Sequence, residues 1–207
     1  MSFELWLVYL VAAVGLSFAP GPNGLLALTH GARFGLQRTL FTVLGGALGF
    51  LVLIAVSLAG MGALLAASER GFLMAKMLGA AYLAYLGLRL WMAPAQPITV
   101  AADGENMPTA SAFRLFLQGF LVAVSNPKGI VFFAAFLPQF IVPGVSFWTQ
   151  LAVFGGTFVV VEVLYEAMLA ALAQRIAPWL SNHASWFNRV TGGVFVAFGV
   201  ALANAHR

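Results

Sequence analysis

The chain has 207 residues, 62% of them hydrophobic and only 8% charged, too few polar groups to cover a soluble globule, so a bilayer is its expected solvent. The net charge of +4 comes from ten thinly spread basic residues, and without a basic stripe nucleic acid is not an expected partner. Cysteine is absent, which removes disulfides, thiolate metal sites and thiol redox chemistry.

At about 20 residues per span, six helices and short connections use the whole chain as one all-α integral membrane domain over 1–207. The first predicted span, Leu5–Leu28, follows no lysine or arginine and is therefore expected to stay as a span rather than act as a leader. It is interrupted by Ala19-Pro20-Gly21-Pro22-Asn23. His30 just beyond it reads as an interfacial side chain. The second span, Leu40–Ala66, carries Gly45-Gly46; the third, Gly71–Trp91, has Lys76 and Arg89 close enough to its ends to reach the headgroups.

A polar linker over about 94–112 divides the chain into a first repeat, about 1–93, and a second, about 113–207. The fourth span, Phe113–Leu137, is interrupted by Ser125-Asn126-Pro127-Lys128-Gly129, and a turn on Pro138, Pro143 and Gly144 leads into the fifth, Phe147–Ala173. The sixth is Asn188–Ala203. Trp6, Trp91, Trp148, Trp179 and Trp186 fall near predicted interfaces, where amphipathic rings anchor. The glycine pairs Gly45-Gly46, Gly155-Gly156 and Gly192-Gly193 are expected to permit close helix packing.

The halves match each other in order. Pro20 aligns with Pro127, Gly45 with Gly155 and Lys76 with Arg189, the offset growing from 107 to 110 to 113 residues, as a duplicated three-helix unit requires. Three spans per unit send the second copy in from the opposite side, so the repeats are expected to be inverted, with the first and fourth helices broken. Arg33, Arg38, Arg89, Arg114, Arg175 and Arg189 lie on one side, against Arg70, Lys76 and Arg207 on the other. By the positive-inside rule both termini are expected outside the cytoplasm.

Proline removes a backbone donor and clashes with the preceding turn, so a break at membrane depth survives where it is buried or lines a cavity. Asn126 is suited to cap a new helix with Pro127 in its first turn, and Gly21, Pro22 and Asn23 suit a similar start. Such starts present free amide donors to an anion, and Lys128 adds a full positive charge. Span five supplies the opposite sign through Glu162 and Glu166, four apart on one helical face beside Tyr165. A carboxyl away from water either holds an ammonium or takes up a proton. Structural pairing with Lys128 or Arg175 is the competing role. The first half sets Val52 and Val56 at the matching positions, so the acids are an asymmetric addition.

Pro20-Gly21-Pro22-Asn23, the Gly45-Gly46 region, and Asn126-Pro127-Lys128 followed by Phe132-Phe133 make the chain similar to the LysE/RhtB family of amino-acid exporters over essentially its full length. That resemblance implies a six-helix bacterial inner-membrane protein exporting amino acids or close derivatives by proton antiport, without a cofactor. It also implies that the broken helices line the route, through Pro20, Gly21, Pro22, Asn23, Asn126, Pro127 and Lys128. Glu162 and Glu166 are assigned from burial alone, as holders of a substrate ammonium or a coupling proton. A homo-oligomer is compatible with the sequence.

The competing class is a divalent metal-cation exporter. It needs imidazole or soft ligands, and the three histidines, His30, His183 and His206, all sit near predicted ends. An enzyme is not expected, since no Gly-x-Ser-x-Gly element occurs and no serine-histidine pair shares a membrane depth.

Overall fold

The computed structural model describes residues 2–19, 21–93 and 110–204. Pro20 and linker residues 94–109 lie outside the described residues. Among those described no strand occurs, as the all-α reading expects.

Helix α1, Phe3–Phe18, starts on Ser2, whose hydroxyl accepts from the Leu5 amide, and ends at Ala19 in an extended conformation. The chain restarts at Pro22 into α2, Pro22–Ala67, a helix of 46 residues that is bent back on itself at Gly35 (φ 72°, ψ 170°). That φ is open to glycine at no steric cost. The two arms run side by side: the His30 Nδ1 lies 2.7 Å from the Thr42 hydroxyl, and a Cβ on Gly46 would lie 3.1 Å from Asn23 Nδ2. The sequence predicted helical ends at Leu28 and Leu40 with a loop between. The structure instead keeps the segment helical on both sides of Gly35, because one left-handed residue makes the turn.

Helix α3, Glu69–Trp91, matches the third predicted span. Helices α4, Ala112–Val124, and α5, Pro127–Ala135, are the two halves of the fourth, bent by 49° at the break and continued by a 3-10 turn over Leu137–Phe140. The fifth is α6, Phe147–Gln150, a π turn over Leu151–Gly155, and α7, Gly156–Ala171. A short helix, α8, Ala173–Asn182, was not expected, and α9, Ala184–Asn204, follows it. The turn before α6 is tied by the buried Gln150, which accepts from the Val142 amide (3.0 Å) and donates to the Val145 carbonyl (2.9 Å).

Helix α2 packs on α4 and α7, α3 packs on α9 and α5, and α1 packs on α7. Bare glycine backbones set the closest approaches: a Cβ on Gly45 would lie 1.9 Å from the Phe116 carbonyl oxygen, and one on Gly119 2.0 Å from that of Thr42. Gly87 and Gly192 make the same kind of contact between α3 and α9. The three glycine pairs are therefore not equivalent. Gly45 and Gly192 permit close packing, Gly46 opens toward Asn23 and Glu166, and a Cβ on Gly156 would meet nothing within 4 Å.

Buried aromatics form much of the hydrophobic core: Tyr9, Phe50, Phe132, Phe133, Phe154 and Phe158, in edge-to-face pairs such as Phe133 on Phe158 at 4.8 Å. The Tyr9 hydroxyl donates to the Phe154 carbonyl (3.0 Å), and the Ser57 hydroxyl donates to that of Phe133. Outward, the surface is apolar, with Leu78 70% and Leu164 66% exposed, as lipid contact requires. By length and composition two described helices, Pro22–Gly60 and Phe147–Ala171, suffice to cross a membrane, and a third if the bent pair counts as one.

Candidate functional site

The two interruptions meet in space. At the second, Asn126 caps α5 as the sequence predicts: its Oδ1 accepts from the Lys128 amide (3.0 Å), and Pro127 stands in the first turn. Its Nδ2 donates across to Asn23 Oδ1 at 3.0 Å, joining the start of α5 to the start of α2. Replacing Asn126 by alanine removes both bonds and is expected to cost about 1–3 kcal/mol. Thermal unfolding in detergent checks this, and Asn126→Asp should recover the cap but not the bridge.

Lys128 is buried, and its ammonium donates to the carbonyls of Leu16 (2.8 Å) and Ala19 (2.9 Å). These carbonyls come from the last turn of α1, which the break deprives of following amides, and a cation there also complements the negative end of the helix. Gly21 makes room for it, since a Cβ there would come within 3.0 Å of Lys128 Cε and Nζ. The lysine of one interruption therefore closes the helix end of the other. Pro22 opens α2 just beyond Gly21; Pro20 is not among the described residues.

Glu162 and Glu166 stand on the inner face of α7, 2% and 1% exposed. Among the described residues no ion pair joins either to Lys128 or Arg175, and Lys128 acts on the acids through space. Glu166 faces Asn23 across the open side of Gly46: a Cβ on Gly46 would lie 3.1 Å from Asn23 Nδ2 and 3.4 Å from Glu166 Oε2. Three fully buried oxygens here have no hydrogen-bond partner: Ser17 Oγ, Glu162 Oε2 and Glu166 Oε1. Buried polar atoms are usually satisfied, so three together, with Ser17 next to Glu162 and Asn23 next to Glu166, mark this as the polar centre of the interior. Tyr165 walls it beside Phe18, their rings 4.9 Å apart.

The LysE type translocator family matches residues 14–206. The chain belongs to this family. It is 34% identical to a homoserine/homoserine lactone efflux protein of Salmonella typhimurium, over 99% of this chain and 98% of that one. It is 28% identical to a leucine efflux protein of Klebsiella pneumoniae over 96% and 94% of the two chains. An uncharacterized membrane protein of Vibrio cholerae is 33% identical over 99% of each. No solved structure matches the chain.

In this LysE-family translocator the sequence-predicted candidates Gly21, Pro22, Asn23, Asn126, Pro127, Lys128, Glu162 and Glu166 gather in one place. Sequence reading passed over Ser17, although a serine one turn before the break in an otherwise apolar span was a usable signal. It also took His30 for an interfacial side chain. The structure adds that His30 is packed within the protein, against Thr42 and edge-on to Phe34 at 5.4 Å. Val52 and Val56, aligned by count with the glutamates, face outward at 39% and 64% exposure. Gly45 packs on the Phe116 backbone of α4 whereas Gly155 faces Leu51, so the aligned helices of the two halves are rotated differently against their neighbours.

Proposed function

We propose that this translocator exports amino acids or close derivatives across the bacterial inner membrane in exchange for protons. The observation that carries the reading is the charge count of the interior: two buried carboxyls share one lysine whose ammonium already serves two carbonyls. With both acids ionised the interior is one positive charge short. A proton or a substrate ammonium makes up that shortfall, but both together overfill it, and mutually exclusive occupancy of one site is the basis of antiport. The export direction and substrate class are supported by the efflux relatives. Homoserine carries a free carboxylate and its lactone none, so the charged group common to the compounds in those names and leucine is the α-ammonium.

In this reading the chain crosses six times as two inverted repeats, about 1–93 and 113–207, with both termini outside the cytoplasm. Packing of α2 on α7 and of α3 on α9, each helix against its counterpart, supports that symmetry, as does the pairing of α1 with α7 and α4 with α2. The route runs along Gly21, Pro22, Asn23, Asn126, Pro127 and Lys128, and rocking of one repeat against the other exposes the site alternately to each side.

Counterflow in proteoliposomes tests this against a panel of amino acids and divalent metal ions, with and without a pH gradient. Amino acids should exchange, and an inwardly directed proton gradient should drive their net export. Exchange of metal ions without amino acids would overturn the reading in favour of a metal-cation exporter; among the described residues no group of three or more acids or histidines gathers for that task.

A further inference from the structure

We propose that α1 is the extracytoplasmic gate of this translocator, latched shut on α7 by Tyr9 and Trp6 and pivoting on the helix end that Lys128 holds. The inference rests on the export reading and the topology given with it, and it assigns the element that moves.

Helices α1 and α7 run side by side in the same direction. Tyr9 meets Phe154, Ser17 neighbours Glu162, and Phe18 lies against Tyr165. Eight residues therefore separate Tyr9 from Ser17 and Phe154 from Glu162, a distance of about 12 Å along each helix. Aromatic rings fill it. Phe158, one turn before Glu162, meets Phe50 and Phe133 edge-on at 5.2 and 4.8 Å. Tyr9, Phe140 and Phe154 form a second layer beyond, their centroids 5.3, 4.8 and 6.0 Å apart. A charged substrate leaving the polar centre on this side has to pass both layers, and closed rings offer it no polar partner.

Helix α1 is held differently at its two ends. At the inner end the Leu16 and Ala19 carbonyls accept from Lys128 at 2.8 and 2.9 Å, and the chain then becomes extended at Ala19. Further out, the Tyr9 hydroxyl donates to the Phe154 carbonyl at 3.0 Å and Trp6 Nε1 donates to the Thr157 hydroxyl at 3.0 Å. The opposite face of α1, with Leu7, Val8, Val11 and Val14, is exposed. A swing of α1 about its Lys128 end thus breaks two side-chain hydrogen bonds and parts the outer rings, while every helix stays intact. Both bonds join the first repeat to the second, the two bodies whose rocking alternates access. The acceptor of Tyr9 also belongs to the π turn over Leu151–Gly155, a local widening of a kind that recurs at functional sites.

The absence of cysteine makes a sided test direct. Ala13→Cys places a single thiol one turn inside Tyr9, at a position buried behind the latch. Its reaction with a membrane-impermeant cationic methanethiosulfonate is timed in right-side-out membrane vesicles, which present the extracytoplasmic face, and in inverted vesicles. Adding Tyr9→Phe keeps the ring and removes the bond. The Phe154 carbonyl then goes unpaired when the gate is shut but meets water when it is open, so the rate in right-side-out vesicles should rise about fivefold or more. In inverted vesicles it should stay within about twofold. Thr157→Val, which removes the other acceptor, should act in the same direction and serves where the Tyr9→Phe protein is poorly produced. Rates unchanged by both substitutions, or raised equally on both faces as general loosening would do, overturn the latch. A rise confined to inverted vesicles overturns the extracytoplasmic assignment and reverses the topology. None of these readouts needs transport, so the export reading stands or falls separately, by counterflow.

Discussion

Glu162→Gln and Glu166→Gln proteins, inserted in the membrane at wild-type amounts, should each lose about a hundredfold or more of pH-gradient-driven export, the effect of removing one partner from a buried charged contact. Glutamine has the size and one acceptor of glutamate but neither its charge nor its proton. With one acid gone the remaining carboxyl balances Lys128, and the interior no longer attracts either an ammonium or a proton. The double substitution is a different experiment. It leaves a buried ammonium with two carbonyls and no counter-charge, which should lower folding yield as well as transport. The purely structural role for the acids predicts the opposite ranking: each single variant would lose thermal stability while driven export per folded molecule stayed at the wild-type rate. Measuring flux and melting on the same preparations decides between them.

The second large effect concerns packing. Gly45→Ala and Gly119→Ala should each prevent a monodisperse folded protein, or lower its stability by more than the usual overpacking cost of about 1–3 kcal/mol. The added methyls would stand 1.9 Å and 2.0 Å from the backbone carbonyl oxygens of Phe116 and Thr42. A side chain in the way could rotate aside, but a helix backbone cannot, so α2 and α4 must separate. Separation would spread along the interface to the broken end of α4 and the Asn126–Asn23 bridge. Gly156→Ala is the control. Nothing lies within 4 Å of that methyl, and replacing glycine in a helix should be neutral or stabilise by up to about 1 kcal/mol. Size-exclusion profiles and melting of the three variants check the contrast; equal behaviour of Gly45→Ala and Gly156→Ala would contradict the packing described here.

That contrast indicates where sequence reading stops. Both residues belong to glycine pairs that look alike in the chain, and what separates them is which way each faces once the helices have docked. The same applies to the charged groups. Lys128 beside a break was visible, as was the likelihood that Asn126 caps the new helix, because caps and prolines act within a few residues of themselves. That the ammonium is spent on carbonyls 112 and 109 residues earlier was not visible. The partner of His30 was hidden for the same reason: Thr42 lies on the far arm of a turn made by Gly35 alone.

The sequence by itself determined that the chain is helical and apolar outward, roughly where its helices lie apart from α8, and that two of them break. Hydropathy, proline and capping are local properties, and in a bilayer they face little competition, since backbone groups must be satisfied within the helix. Only the tertiary structure decided that the breaks touch, that one supplies the cation that finishes the other, and that the oxygens left over belong to Ser17, Glu162 and Glu166. Those outcomes depend on the rotation of each helix about its axis, which is fixed by the glycine contacts between helices rather than by the composition of any one helix.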